Sequence, residues 1–380
     1  MTKPIAWKFI LTLGIVSLCA DLTYESARSI TGPFLALLGA SGAVVGAAVG
    51  FGEFIGYAMR YLFGALADKT KKYWLFTILG YALSLLAAPL LAWAGNWQIA
   101  IALIIIERFG KAMRSPARDT MLSYATKHVG RGRGFGVHEA LDQVGAVLGP
   151  LLISAVLLWK HDYRFSFALL AIPASLALIT LILAYQRFSH PENLEPAQPK
   201  IHSKGLKRSY WLYLIGVGLI AAGYVDFALI AFHFQKTKLL SAAWIPFFYA
   251  IAMAVQGLAA LLLGKYFDQK GLFILVIATI LAAMFPPLVF LGSFAGALTG
   301  MILWGIGLGA QESIMRAHIA NLVPPEKRGS GYGLLNLIFG TSWFLGSALM
   351  GVLYDINPLY LVLFSVLIQI SSIPLLKRSK

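Results

Sequence analysis

Charged residues and cysteines are scarce in this chain, and each scarcity excludes a class of protein. Asp, Glu, Lys and Arg make up only 12% of the 380 residues, about half the fraction usual in soluble domains. The single cysteine, Cys19, cannot form an internal disulfide, which excludes a disulfide-stapled module. The hydrophobic share is 59% and the mean hydropathy is +0.76. This composition predicts an integral membrane protein rather than a soluble domain.

Long runs without charge are frequent, and they divide the chain into crossings. With about 20 apolar residues per crossing, the pattern predicts twelve membrane helices. Helices are required because unpaired backbone groups cannot face lipid, and the residues do not alternate as barrel strands do. The predicted fold is therefore all-α and integral to the membrane. The predicted spans are 7–34, 42–66, 73–94, 98–126, 132–159, 163–187, 210–235, 241–264, 271–291, 294–322, 329–354 and 358–376.

Positive charge is unevenly distributed between the predicted loops. If both termini are cytoplasmic, 20 of the 31 Lys and Arg residues lie in cytoplasmic segments and four lie in outer loops. This asymmetry predicts cytoplasmic N- and C-termini. The net charge of +15 therefore reflects topology, with anionic lipid headgroups as the expected contact and no role for nucleic acid. Short loops favour a prokaryotic cytoplasmic (inner) membrane.

A polar segment near the middle of the chain, SHPENLEPAQPKIHSKGLKRS, predicts a cytoplasmic linker. The predicted domains are a six-helix bundle over 1–187, the linker 188–209 and a six-helix bundle over 210–380. Gly64 and Asp68 after the second span recur as Gly264 and Asp268 after the eighth, which indicates an internal repeat. Two repeats in the same orientation are the layout of a rocking transporter.

Two loop sequences carry a family resemblance that extends over essentially the whole chain. GALADKTKKYW, from Gly64 to Trp74, resembles the Gly-x-x-x-Asp-Arg-x-Gly-Arg-Lys loop of the major facilitator superfamily, with Lys69 in place of the Arg. VPPEKRGSGYG resembles the Pro-x-x-x-Arg-Gly-x-x-x-Gly turn of that superfamily. The resemblance implies two pseudo-symmetric six-helix bundles and secondary transport without a cofactor, driven by an ion gradient. In the first loop we interpret Asp68 as a latch that accepts backbone hydrogen bonds, with Gly64 permitting close helix approach.

The fifth span contains a further motif, Gly145-x-x-x-Gly149-Pro150. A Gly-x-x-x-Gly face permits tight helix contact, and the proline frees a carbonyl and bends the helix. The motif resembles the glycine-proline motif of antiporter branches of the same superfamily. The resemblance implies export, whereas the packing alone is common in membrane helices.

Charged side chains inside the predicted spans occur on spans 1, 2, 4, 5, 7 and 10, while spans 3, 6, 9 and 12 carry essentially none. Because a charge in mid-membrane costs at least about 2.5–3.5 kcal/mol, these side chains are expected to face a central cavity. In the first span, DLTYESAR places Asp21, Glu25 and Arg28 on one helix face. The residues predicted for proton coupling and the substrate cavity are Asp21, Glu25, Arg28, Glu53, Arg108, Asp226, Glu312 and Arg316.

Other charges lie toward the predicted cytoplasmic ends, where ion pairs could form and break as a gate. An alternative is that such pairs only neutralise each other. Asp21 is the first choice as proton carrier, and Arg108 matches the family's Arg on the fourth helix. The residues predicted for the gate and latch are Arg60, Gly64, Asp68, Lys69, Lys72, Arg114, Arg118, Asp119, Glu139, Asp142 and Asp268.

Enzymatic functions find little support in the sequence. His138-Glu139-x-x-Asp142 lacks the second histidine of a zinc helix, and GRGRGFG follows no strand. We therefore expect neither a metal nor catalysis. The predicted function is export of a small organic compound, anionic or zwitterionic, against proton entry, by a functional monomer. The alternatives are proton-coupled uptake of an organic anion or metabolite and, third, a non-transporting membrane enzyme or receptor.

Overall fold

A computed structural model describes residues 3–126, 129–188, 208–323 and 328–379, without side chains at 131, 132, 316, 320, 321 and 328–330. Every regular element in these residues is helical. The helices are α1 Lys3–Leu37, α2 Gly42–Thr70, α3 Tyr73–Leu90, α4 Trp97–Thr126, α5 Arg131–Lys160, α6 Tyr163–Leu169, α7 Ala171–Arg187, α8 Arg208–Gly223, α9 Phe227–Thr237, α10 Trp244–Lys270, α11 Phe273–Ala283, α12 Phe285–Phe290, α13 Phe294–Leu322, α14 Arg328–Ile356 and α15 Pro358–Arg378.

Eleven helical segments in the described part are long and apolar enough to cross a membrane, which confirms a multi-pass membrane protein. The 30-residue α4 is long enough as well, but its charged residues keep it out of this set. The predicted number of twelve crossings and the orientation of the termini stay predictions. The polar linker predicted for 188–209 lies almost entirely outside the described residues.

Three predicted spans contain two helices rather than one. The span 163–187 consists of α6 and α7, 210–235 of α8 and α9, and 271–291 of α11 and α12. In the last case Pro286 and Pro287 open α12, because proline fits the first helical turn and not the interior. The break between α8 and α9 has a different cause, which lies in long-range hydrogen bonds.

Residues 224–226, between α8 and α9, are non-helical and deeply buried. The carbonyl of Gly223 accepts hydrogen bonds from Ser365 and from Gln369 Nε2 on α15, the latter at 3.1 Å. The carbonyl of Val225 accepts one from Trp304 Nε1 at 3.0 Å. The break leaves backbone carbonyls without helical hydrogen-bond partners. These side chains supply the partners that buried carbonyls need where water is absent.

Capping residues define several helix ends. Asp162 accepts from the backbone N–H of Arg164 and Phe165 at the start of α6, at 2.8 and 3.3 Å, and Asn357 accepts from Leu359 at the start of α15. Gly271, with φ of +60°, ends α10, where a left-handed backbone favours glycine. At each of these three places one or two residues separate consecutive helices.

The chain divides into two compact units. The first comprises Met1–Thr31 and Ile55–Ala197, and the second comprises Gly32–Phe54 and Gln198–Lys380. The last turn of α1 and the first half of α2 thus belong to the second unit. The predicted domains, 1–187 and 210–380, follow chain order, and this division stays a prediction from the sequence repeat.

Each unit has its own apolar core. In the first unit Phe9 packs edge-on against Trp74 with ring centroids 6.3 Å apart, and Tyr81 is fully buried beside Met121. In the second unit the phenol groups of Tyr210 and Tyr213 donate to the carbonyls of Gly331 and Met315 at 2.8 and 2.9 Å. These bonds satisfy the phenols inside an otherwise apolar core.

Candidate functional site

The first unit gathers charged side chains from α1, α4 and α5 into one cluster, which we call the charged cluster. Its centre is Asp21 on α1. This carboxylate lies within electrostatic range of Lys111, Arg114 and Arg118 on α4 and of Asp142 on α5. Three cations and two carboxylates therefore interact inside a bundle of apolar helices, where charges are costly unless they compensate each other.

Tyr24, one turn beyond Asp21 on α1, contacts two cations of α4. The Lys111 ammonium lies 3.5 Å from the centre of the Tyr24 ring, and the Arg108 guanidinium carbon lies 4.8 Å from it. Lys111 also interacts electrostatically with Asp21 and Glu25. The Tyr24 ring thus stabilises two cations by cation–π contact.

Arg108 and Glu107 are neighbours in sequence and both are buried. The Arg108 Nε and Glu107 Oε2 atoms are 3.6 Å apart, so the two charges offset each other. Arg108, which the sequence matched to the family's fourth-helix Arg, therefore contacts a neighbour on α4 and the Tyr24 ring. The remaining predicted residues of α1, Glu25 and Arg28, are partly buried.

Arg114 is the most deeply buried cation of the charged cluster, with 2% of its surface exposed. Its guanidinium carbon lies 4.1 Å from the centre of the buried Tyr81 ring on α3. The backbones of α3 and α4 approach closely here. A Cβ at Gly80 would lie 2.6 Å from the backbone nitrogen of Arg114. Nε and Nη1 of Arg114 have no hydrogen-bond partner among the described residues.

Arg118 uses its guanidinium in a different way. Nε and Nη2 donate to Asp119 Oδ1 at 3.0 and 2.8 Å, and Nη1 donates to Ser17 Oγ at 2.9 Å. Asp142 interacts with the same Ser17 hydroxyl and lies 3.5 Å from His138 Nδ1. Ser17 therefore links α4 to α5 through polar contacts on α1.

The predicted separation between a mid-membrane set and a gate set does not appear as two clusters. Arg114, Arg118 and Asp142, predicted for the gate, surround Asp21, predicted for the cavity. Glu139 is exposed on α5. The sequence had placed these residues by depth along separate helices, whereas the packing of α1 against α4 and α5 brings them together.

The predicted latch has fewer contacts than expected. Asp68 is exposed and accepts a hydrogen bond from the Tyr73 hydroxyl at 3.1 Å, and Lys69 and Lys72 are exposed. Among the described residues, a Cβ at Gly64 would meet Pro116 at an ordinary van der Waals distance of 3.5 Å, so the backbones do not approach unusually closely here, and the role of Gly64 in the latch stays a prediction.

Two further latch residues are placed by the structure. The Arg60 guanidinium carbon lies 5.3 Å from the centre of the Tyr57 ring on the same helix. Asp268, the repeat partner of Asp68, is exposed near the end of α10. The proposed roles of these residues stay predictions.

The glycine-proline motif of α5 lies against α1. A Cβ at Gly149 would lie 2.6 Å from the carbonyl oxygen of Leu22 and 2.7 Å from Ser26 Oγ, and one at Gly145 would collide with the carbonyl of Leu18. The motif therefore holds the backbone of α5 against the helix that carries Asp21. Its association with antiport stays a prediction.

The second unit holds fewer charges. Asp226 is buried and caps α9 by accepting from the N–H of Ala228 at 2.9 Å. Gln256 Nε2 on α10 donates to Glu312 Oε2 on α13 at 2.6 Å. Glu53, although on α2, belongs to this unit, and the Arg316 side chain lies outside the described residues.

Five aromatic side chains in the interior of the second unit are packed on one another. The Phe227 and Tyr249 rings are 4.2 Å apart between centroids, and Tyr224 lies 5.9 Å from Trp304 and 5.7 Å from Trp343. All five are buried. These contacts place the five side chains in the core of the second unit.

A contact absent from the predicted site joins α14 to the start of α2. Asp355 accepts from the backbone N–H of Gly42 and Ala43 at 2.9 and 2.7 Å. Gly46 and Gly50 continue the close contact along Ser347 and Phe344. The sequence signal was the 4-residue spacing of three glycines at the start of α2.

Lys111 was also left out of the predicted site, although its spacing from Glu107 and Arg114 places it on their helix face.

Metal ligands do not converge in the described residues: no group of three or more His, Cys, Asp and Glu side chains is placed to hold an ion. The charged cluster can instead exchange protons and bind small charged groups, because it combines carboxylates with cations in a largely buried setting.

Comparison with known proteins agrees with this architecture. An uncharacterized protein of Mycobacterium tuberculosis is 39% identical over 383 residues, covering 98% of this chain and 93% of the relative. An uncharacterized MFS-type transporter of Methanocaldococcus jannaschii is 26% identical, covering 97% and 94%. The nucleoside transporter NupG has a similar fold, with a TM-score of 0.74, 15% identity and coverage of 98% of both chains.

A POT family transporter in complex with 5-aminolevulinic acid is similar to this chain with a TM-score of 0.76 and 14% identity, covering 97% of this chain and 94% of that one. A family model described as Major Facilitator Superfamily matches residues 13–347. With this match, the helical architecture and the recurring loop motifs, the chain belongs to the major facilitator superfamily.

Proposed function

We propose that this protein is a secondary active transporter that moves a small organic solute across the cytoplasmic membrane by alternating access, coupled to protons. The observation that carries the proposal is the position of Asp21 among Lys111, Arg114 and Arg118. A carboxylate beside several cations can release its proton when they approach and take it up when they move away. We expect the functional unit to be a monomer, and we expect neither a cofactor nor catalysis.

Export by antiport is our first proposal for direction. It is supported by the glycine-proline motif, which packs against the helix that carries Asp21. Movements of α5 would thus be transmitted to Asp21 through a tight backbone contact. A relative from Photorhabdus laumondii, 25% identical over 340 residues, is named a multidrug resistance protein, which fits export.

Proton-coupled uptake of an organic anion is the second candidate. It is favoured by the four cations on one stretch of α4, Arg108, Lys111, Arg114 and Arg118, which line up opposite Asp21, Tyr24 and Glu25 of α1. Such a surface attracts negatively charged solutes. Of the proteins of similar fold named above, one is a nucleoside transporter and the other was determined in complex with 5-aminolevulinic acid, which supports a small organic solute in either direction.

The test of the proposal is proton flux in everted membrane vesicles with an imposed pH gradient, inside acid, while a diverse panel of compounds is added. We expect at least one compound to release protons from vesicles that contain the wild-type protein and not from control vesicles. Release would establish antiport, and proton movement in the same direction as the compound would establish symport. Compound uptake that is insensitive to the gradient would contradict proton coupling.

A further inference from the structure

Arg114 has hydrogen-bonding capacity that its surroundings do not use. Only 2% of its surface is exposed, and its Nε and Nη1 atoms have no hydrogen-bond partner among the described residues. A buried guanidinium with unused donors costs free energy, because charged donors lose their water without replacement. Its neighbour Arg118, by contrast, donates to Asp119 and Ser17.

The unused donors are held in place rather than mobile. The Arg114 guanidinium lies on the Tyr81 ring, and the close approach of Gly80 and Gly110 fixes the backbone of α4 against α3. A planar guanidinium held by an aromatic ring presents charged N–H donors in fixed directions, and Nε and Nη1, on opposite edges of the group, can each donate to a carboxylate oxygen. The geometry is therefore prepared for an anion before one binds.

The titratable groups that face Arg114 lie on four helices. They are Asp21 of α1, Tyr81 of α3, Lys111 and Arg118 of α4, and His138 and Asp142 of α5. Lys111, one turn from Arg114, is only half-buried, so an incoming anion can reach it first. Lys111 and Arg114 are thus two adjacent cations of unequal accessibility.

We propose that Arg114, with Lys111 beside it, binds the carboxylate of an organic anion that the protein transports. This proposal rests on the proposed transport function and names the class of its substrate. An anion bound at Arg114 adds negative charge next to Asp21 and Asp142. A proton taken up by Asp21 in the same step keeps the net charge of the cluster constant. Proton and anion then move together, which favours the second of the two candidate directions.

The experiment measures equilibrium binding of radiolabelled benzoate to the full-length protein in lipid nanodiscs. Benzylamine and benzyl alcohol serve as competitors, since they have the same ring with a positive or no charge. We compare Arg114→Gln and Arg114→Lys with Lys160→Gln. The control variant removes a positive charge from the exposed end of α5, far along the helix from Asp142.

We expect the wild type and Lys160→Gln to bind benzoate equally, with no competition from benzylamine or benzyl alcohol. Binding to Arg114→Gln should be weaker by about tenfold or more, because the charge-assisted hydrogen bond from the guanidinium is lost, and Arg114→Lys should lie between. Thermal unfolding reports whether each variant is folded. Should Arg114→Gln be unfolded, Lys111→Gln decides instead, with weaker benzoate binding expected there too.

Three results would overturn the anion site: no benzoate binding to the wild type, preference for benzylamine, or undiminished binding to a folded Arg114→Gln protein. Transport in proteoliposomes separates this proposal from the proposed function. Benzoate binding that depends on Arg114, without movement of any compound, would keep the anion site and reject the transporter. Transport of a neutral or cationic compound that is unchanged in Arg114→Gln would keep the transporter and reject the site.

Discussion

Asp355 at the end of α14 accepts hydrogen bonds from the backbone N–H of Gly42, at 2.9 Å, and of the next residue, Ala43. The two residues are 313 positions apart in the chain, yet the carboxylate caps the first turn of α2. A negative charge at a helix N-terminus is stabilising because it satisfies free N–H groups and interacts favourably with the helix dipole. The contact therefore joins two helices of the second unit at one end.

Replacing Asp355 with Asn should weaken this contact. We expect a loss of about 1–2 kcal/mol in the free energy of unfolding, because Oδ1 and Oδ2 each accept one N–H, and Asn keeps only one of these acceptors and loses the charge. Under alternating access the same change should alter the turnover of transport. Asp162→Asn is the matched control, since the hydrogen bonds of Asp162 to the described residues cap the start of α6 alone. Equal turnover in both variants and the wild type would contradict a role for Asp355 in the transport cycle.

Gly149→Ala should destabilise the protein by about 1–3 kcal/mol, because the new Cβ would lie 2.6 Å from the carbonyl oxygen of Leu22 and force α5 away from α1. Thermal unfolding of the purified protein measures the effect. Gly56→Ala on α2 is the control, since its Cβ would meet nothing within 4 Å. We expect that variant to be as stable as the wild type or slightly more stable. A Gly149→Ala protein that unfolds at the wild-type temperature would contradict a tight contact between α5 and α1.

Asp68→Asn should slow the conformational exchange and leave solute affinity unchanged, as the proposed latch requires. Tyr73→Phe is its matched partner, because it removes the 3.1 Å hydrogen bond and keeps the carboxylate. We expect a larger loss of turnover for Asp68→Asn than for Tyr73→Phe. Initial rates of solute exchange at saturating and limiting concentrations provide the measurement. The latch interpretation is wrong if Asp68→Asn exchanges solute at the wild-type rate.

The sequence predicted membrane helices well, because lipid imposes a simple rule of length and hydropathy on each one. It also placed Asp21, Glu25 and Arg28 on one helix face, since helical spacing is a local property. It missed the break after Gly223, because the hydrogen bonds that permit it come from Ser365 and Gln369 far along the chain.

Distances between helices were the part that sequence reasoning could not supply. Gly64 on α2 recurs in the repeat and was predicted to allow close approach, whereas the close approach in this unit lies between α3 and α4, at Gly80 and Gly110. Arg114 was assigned to a gate from its depth alone, and its position beside Asp21 and Tyr81 follows from the packing of α1, α3 and α4. Such contacts depend on how helices are arranged around one another, which helical spacing does not determine.

The central claim is that Asp21 carries the coupled proton, and Asp21→Asn tests it most directly. The variant and the wild type, matched for amount in the membrane, are compared in proteoliposomes for exchange of a transported compound and for its accumulation driven by a pH gradient. Because Asn retains hydrogen-bonding groups and cannot bind a proton, the account predicts normal exchange without accumulation. Accumulation at the wild-type level in the Asp21→Asn protein would contradict it.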